Sequence, residues 1–215
     1  MLNKKQEKIA GIASFTATSD TDNLTKELNE GLDAGLTINE IKEIFIQMCM
    51  YLGFPKGIRG VDIFMEVLDA RKAKGIDDEQ GRNANPVTDT QIKYNRGEDV
   101  QVKVAGYTAE QLRFGAMAFI PKIDVMLKEY IFCDVYESDV LNYADREIAT
   151  VAAQLAMNDI EPQTQFHIRN AFEVGLNEEE VNQIISISES SFGAAKGLMG
   201  RRLLANVVAT RSNNK

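Results

Sequence analysis

The chain has no tryptophan, one histidine and two cysteines among 215 residues. Any imidazole chemistry must therefore use His167. Cys49 and Cys133 lie far apart and make no CxxC. Two unpaired thiols fit a reducing compartment, so the expected location is cytoplasmic. With one histidine, no CxxC and no HxxxH, no metal site is expected. No apolar run approaches the ~20 residues that span a bilayer. The opening stretch, MLNKKQEKIAGIASFTATSD, has no uninterrupted apolar segment of the signal-peptide kind. Basic residues are outnumbered, 24 against 32, for a net charge of −8. That balance argues against nucleic acid and anionic membrane as partners, since both reward clustered Lys and Arg.

What is present is a repeat. Residues 28–71 read LNEGLDAGLTINEIKEIFIQMCMYLGFPKGIRGVDIFMEVLDAR, and a gapless shift of 140 positions gives IRNAFEVGLNEEEVNQIISISESSFGAAKGLMGRRLLANVVATR. Gly35, Gly53, Gly57 and Gly60 fall on Gly175, Gly193, Gly197 and Gly200. Leu36, Glu40, Ile44, Lys56, Val67 and Arg71 fall on identical residues. Such self-similarity sets the architecture, here a tandem duplication. The expected division is a first repeat over 1–75, a linker over 76–100 and a second repeat over 101–215.

The hydrophobic periodicity is helical throughout, and no stretch alternates as a strand, so the expected class is all-α. Helices are predicted over 5–18, 24–34, 38–52 and from Pro55 to Lys72. Gly35 is placed to end the second in a left-handed turn, and Thr37 with Glu40 forms a capping box for the third. Asn177 and Glu180 repeat that box. Ile58, Val61, Phe64, Met65 and Leu68 make the apolar face predicted for the fourth helix. Residues 74–100 are polar and weakly periodic, which predicts a partly mobile linker. Further helices are predicted over 108–120, 121–132, 142–157 and 162–174, with a turn at 134–139, and the last two mirror 38–72. The spacing of Gly53, Gly57 and Gly60 lacks the GxxxxGK[ST] order of a phosphate loop and reads as close helix packing.

On a wheel of the third helix, Glu43, Gln47 and Tyr51 fall one turn apart beside the apolar stripe. They would either line a pocket or form a solvated face. Cys49 points away from that line and has no nearby base, so it reads as a small buried apolar residue. His167 suits general acid–base work because its ordinary pKa is near neutrality.

The run from YNRGEDV through FCDVYESD, ADREIA and HIRNAFEVGLNEEEVNQI resembles the carboxymuconolactone decarboxylase family. AGLTINEIKEIFIQMCMYLGFPKGIRG resembles the second half of the same domain. The resemblance implies a duplicated all-helical fold related to alkylhydroperoxidase D, and assembly as a homo-oligomer, a trimer or hexamer. The peroxidase branch needs a CxxC and a histidine where this chain has QMCMYLGFP, so a dithiol cycle is not expected. The decarboxylase branch has an acid at Glu43, a polar residue at Gln47, a tyrosine at Tyr51 and a histidine on the preceding helix. The first copy has Glu27 in that histidine's place. The second copy has His167, but Gln183, Ile187 and Ser191 stand for the other three. Cys133 occupies a position that is usually glycine.

This complementary loss suggests one composite site. The resulting expectation is a lyase acting on a small carboxylated lactone or keto acid without cofactor or metal. His167 would quench an enolate or dienolate, Glu43 would hold the imidazole, Gln47 and Tyr51 would bind substrate oxygens, and Arg96 or Arg146 would hold the carboxylate. Two other readings compete: peroxide reduction by a single thiol at Cys49 or Cys133, and a non-catalytic oligomeric scaffold.

Overall fold

A computed structural model describes residues 1–157 and 160–213 of the chain, and residues 158, 159, 214 and 215 of the expected second repeat lie outside it. Among the described residues every regular element is a helix. The chain opens with α1 (Lys4–Thr18), α2 (Thr21–Asp33), α3 (Ile38–Leu52) and α4 (Phe54–Ala73). It closes with α9 (Tyr143–Ala156), α10 (Glu161–Glu173), α11 (Glu178–Phe192) and α12 (Ala194–Asn213). The helices α2, α3 and α4 begin and end 140 positions before α10, α11 and α12. No helix among the described residues is long and apolar enough to cross a membrane.

Local chemistry explains these boundaries. The Thr37 and Asn177 hydroxyl and amide oxygens accept from the backbone N–H of Glu40 and Glu180, whose carboxylates return the bond. Both donors would otherwise be orphaned at a helix start. Gly35 and Gly175 sit at φ 91° and 104°, where a Cβ is strained, and stop α2 and α10. Gly57 and Gly60 serve packing: a Cβ there would collide with Cys49 Sγ and with the Phe45 ring. That matches the packing role read from their spacing.

The halves meet where α1 lies along α9, the most extensively paired helices of the molecule. Ile9, Ile12 and Ala13 pack there with Ile148, Val151 and Leu155 in one core that also takes in α3 and α11. Equivalent lysines tie each half together: Lys56 Nζ donates to the Ala17 carbonyl, and Lys196 Nζ to that of Met157.

Between the halves the chain differs from expectation in three places. Residues 93–100, assigned to the linker, are the first part of α5 (Lys93–Ala105). The remaining linker is pinned: Ile38 and Asn39 N–H donate to the Glu79 and Gln80 carbonyls, which caps the open end of α3. Arg71 forks onto Asp78, and Arg82 and Asn85 hold Asp139, whose carboxyl Arg82 chiefly draws down to about 2. The helix predicted over 108–120 is two short pieces, α6 (Ala109–Leu112) and α7 (Ala116–Phe119), broken at Gly115 with φ 56°. The predicted end at Phe132 is overrun, because α8 (Pro121–Met126) continues as a π-helix, Leu127–Val135. The apolar face predicted for α4 divides, with Phe64 buried and Ile58, Val61 and Met65 exposed.

The α5 helix and the π-helix pack closely, and a Cβ on Gly97 would collide with the Lys128 carbonyl. Together they form a second small core of Val104, Phe132, Val135 and Tyr136, with Met50 of α3 and Val174 following α10 against it.

Candidate active site

Four elements converge beside this second core: α3, α9, α10 and the end of the π-helix. The polar line of α3 is not a solvated face. Gln47 is fully buried, and Glu43 meets Arg146 of α9. The α9 helix is otherwise rich in alanine, isoleucine and valine, yet carries Arg146, Glu147 and Thr150, all at 0 % exposure. Charged residues are almost never so deeply buried unless paired, and both are paired here.

At the centre, His167 Nδ1 lies 2.8 Å from Glu147 Oε2. The second Glu147 oxygen accepts from Tyr136 Oη at 3.1 Å. Tyr136 Oη and Tyr51 Oη are 3.3 Å apart. Tyr136 has only one proton and donates it to Glu147, so in this chain of bonds Tyr51 donates to Tyr136. The rings of Tyr51 and His167 meet edge-on, with centroids 5.5 Å apart. Burial, and then the Glu147 charge, push the Tyr51 and Tyr136 phenols up, so both remain protonated hydroxyls at neutral pH. The π-helix delivers Tyr136 to this place: its N–H bonds the Ile131 carbonyl, five residues back. Such wide turns are uncommon and recur at functional sites.

A second layer supports the first. Arg146 donates to Glu43 Oε2 at 2.8 Å, to the Ser138 carbonyl at 2.8 Å and to Gln47 Oε1 at 3.2 Å. Gln47 Nε2 donates to the Arg146 carbonyl and to Thr150 Oγ1, each at 2.8 Å. This lattice fixes α3 to α9 and holds Glu147 in place.

The expected site residues divide accordingly. His167 and Tyr51 come together with the network that includes Glu43 and Gln47, within one chain. The carboxylate on the imidazole is Glu147 rather than Glu43, because Glu43 is drawn to the buried Arg146 guanidinium. Gln47 is not open to substrate, since both ends of its amide are bonded. Arg146 is likewise closed to a substrate carboxylate by burial and by Glu43. Arg96 lies elsewhere, bound to Glu137 at 2.9 Å and to Cys133 Sγ at 3.1 Å. Cys133 is buried, and burial followed by its bond to Glu137 pushes the thiol up to about 11. Burial also raises Cys49. Both shifts oppose the thiolate that a single-cysteine peroxidase needs.

Glu147 and Tyr136 were missed as site residues, although a signal existed. Glu147 and Arg146 are adjacent charges that lead into the apolar run of α9, and Glu147 and Tyr136 stand in the DRE and DVY motifs. No group of three or more His, Cys, Asp or Glu side chains among the described residues could hold a metal ion. Two open grooves of about 560 and 320 Å³ run along α11–α12 and beside α10, lined by residues such as Glu178, Arg201, Phe172 and Arg211. Neither is lined by the His167 cluster.

No curated protein matches the chain. Residues 121–204 match the Carboxymuconolactone decarboxylase family. The match runs from α8 into α12 and contains Tyr136, Glu147 and His167. Over that stretch, the chain is similar to the carboxymuconolactone decarboxylase family.

Proposed function

We propose that the chain is a lyase of the decarboxylase kind, acting by proton transfer at His167 on a small carboxylated lactone or keto acid. The observation that carries this reading is the buried His167–Glu147–Tyr136 array. A carboxylate on Nδ1 fixes the tautomer, orients the ring and stabilises the imidazolium. His167 Nε2 has no hydrogen-bond partner among the described residues, and the side chain is 11 % exposed. That leaves one ring nitrogen for a substrate and one for the protein.

The step balances without a cofactor. The bond from the ring carbon to its carboxylate breaks, carbon dioxide leaves, and the electron pair passes into an enolate or dienolate. With Nδ1–H on Glu147, only the imidazolium carries an Nε2 proton; that proton moves to carbon, and the imidazole left behind regains one from water. The engagement of Arg146 and Arg96 is compatible with this chemistry. A cation gripping the carboxylate would stabilise the ground state, which does not accelerate its loss.

The equal helix lengths at a 140-residue offset support descent by tandem duplication. The exposed Phe54, Ile58, Met65, Phe114 and Phe119 support assembly with further copies. The two free thiols support a reducing, cytoplasmic setting. The test is carbon dioxide release from a panel of small lactone acids and keto acids. His167→Ala should lower the rate of any substrate found by about 10²–10⁴, the usual worth of a positioned acid–base group, with the helical circular dichroism unchanged. Undiminished turnover in that variant would remove the histidine from the mechanism.

A further inference from the structure

With Gln47, Arg146 and Arg96 engaged by the protein, the substrate's oxygen atoms need other partners. Asn170 is fully buried, and neither its Nδ2 nor its Oδ1 has a hydrogen-bond partner. Gln101, 5 % exposed, has an unpartnered Oε1. Buried amides without partners are rare in folded proteins and call for an explanation, a bound group among them.

Helical spacing puts both residues on stripes that lead to the seam holding Tyr136. On α10, His167 and Asn170 fall on one stripe with Val174, at steps of three and four residues. His167 touches Glu147 and Tyr51 at one end of that stripe, and Val174 packs against the Val104–Tyr136 core at the other. On α5, Gly97, Gln101 and Val104 form a matching stripe. Gly97 abuts the π-helix backbone, and Val104 packs with Phe132 and Tyr136. The helices α5 and α10 pack on each other. The first half lacks the pair: Glu30, the equivalent of Asn170, is part-exposed and bound by Lys8.

We propose that Asn170 and Gln101 are the substrate-orienting pair of this site, and that they take an uncharged oxygen function on the substrate, a carbonyl with a neighbouring hydroxyl or enol. Asn170 Nδ2 donates to the carbonyl oxygen, where enolate charge develops. The hydroxyl has one proton, which Asn170 Oδ1 and Gln101 Oε1 share as acceptors. The seam thus offers one donor and two acceptors, a set that suits a neutral hydroxycarbonyl group and not a carboxylate. This rests on the proton-transfer reading, which supplies the reason for an oxygen to sit one turn from His167.

The test uses the full chain labelled with ¹⁵N at asparagine and histidine, titrated with α-hydroxy-γ-butyrolactone and, separately, with γ-butyrolactone. Asn170→Leu identifies the Asn170 amide signal by its loss. Movement of both the Asn170 amide and the His167 ring signals with the hydroxylactone is the expected result. Asn170→Leu should then weaken that lactone about tenfold, the worth of its lost hydrogen bonds, and weaken the unsubstituted lactone less, because that one loses only the bond to its carbonyl. The melting temperature should not fall, because an apolar side chain leaves no buried amide unpaired. If His167 responds and Asn170 does not, or if Asn170→Leu binds both lactones as before, the orienting pair is overturned while the acid–base site stands. If neither signal responds to either lactone, the orienting pair falls, while the proton-transfer reading is decided by carbon dioxide release from the carboxylated panel.

Discussion

The two halves of the molecule share a framework and differ in chemistry. Around His167, a carboxylate, two phenols and a guanidinium lattice are closed in by α5 and the π-helix. The equivalent place in the first half has Glu27, which Lys8 holds at 3.2 Å. Burial raises the Glu27 carboxyl despite that lysine. Glu7 stands where Glu147 does, but it accepts from the Gln183 amide at 2.6 Å and meets no imidazole. Ile187 and Ser191 replace Gln47 and Tyr51. The comparison teaches that the helical frame does not make the site. The candidate site lies where α5 and the π-helix cover the frame and bring the Tyr136 phenol to the buried Glu147 carboxylate.

The largest expected effect breaks the comparison at its carboxylates. Glu147→Gln should lower turnover by about 10²–10⁴, because the amide can neither fix the reactive tautomer nor balance the imidazolium. Glu7→Gln should leave turnover unchanged; parallel rate measurements on the two variants check this. A comparable loss in both would mean that the halves act together.

The next effect concerns stability. Glu43→Ala strands the fully buried Arg146 guanidinium and should cost about 3–5 kcal/mol, read by urea unfolding. Glu189→Ala, which removes a solvent-facing partner of Arg201, should leave the unfolding midpoint unmoved.

A smaller effect is visible in alkali. Burial and Glu147 raise the Tyr51 and Tyr136 phenols in the folded state. The unfolded chain would ionise them near pH ~10, so their contribution is intact below that value and is lost as pH rises past it. Absorbance at about 295 nm should show that these two tyrosines ionise only as the helices melt.

The smallest effect is at sulfur. With its thiol near 11, Cys133 should react with iodoacetamide at pH ~8 at least about a hundredfold more slowly than a free cysteine. Peptide mapping of the alkylated protein gives the rate. Rapid labelling of Cys133 would restore the single-thiol reading.

Much of this fold was legible in the sequence, and the reason is local. The Thr37–Glu40 and Asn177–Glu180 boxes, Gly35 and Gly175, and Pro55 act within a turn of their own position, and each marks an end that the structure keeps. The failures also have causes. Gly115 divides a run in which Leu112 is buried but Phe114 and Phe119 are exposed, so the predicted helix over 108–120 did not form as one piece. The π-helix extends past Phe132 because its widened turns pack against α5, a contact that no periodicity of 3.6 encodes.

The site was only half legible. Helical spacing placed Glu43, Gln47 and Tyr51 on one line, and the lone histidine named itself. Which carboxylate meets that histidine depends on how α9 lies against α3 and α10. Arg146, itself fully buried, competes for Glu43 and holds it at 2.8 Å. Glu147, the next residue on α9, turns toward His167. By itself, then, the sequence determined the helices, their ends and the list of groups able to exchange protons, because those follow from short-range backbone chemistry. Only the tertiary structure decided the partners, because burial makes each charge seek its nearest counter-charge, and nearness across 103 residues between Glu43 and Arg146 is set by packing alone.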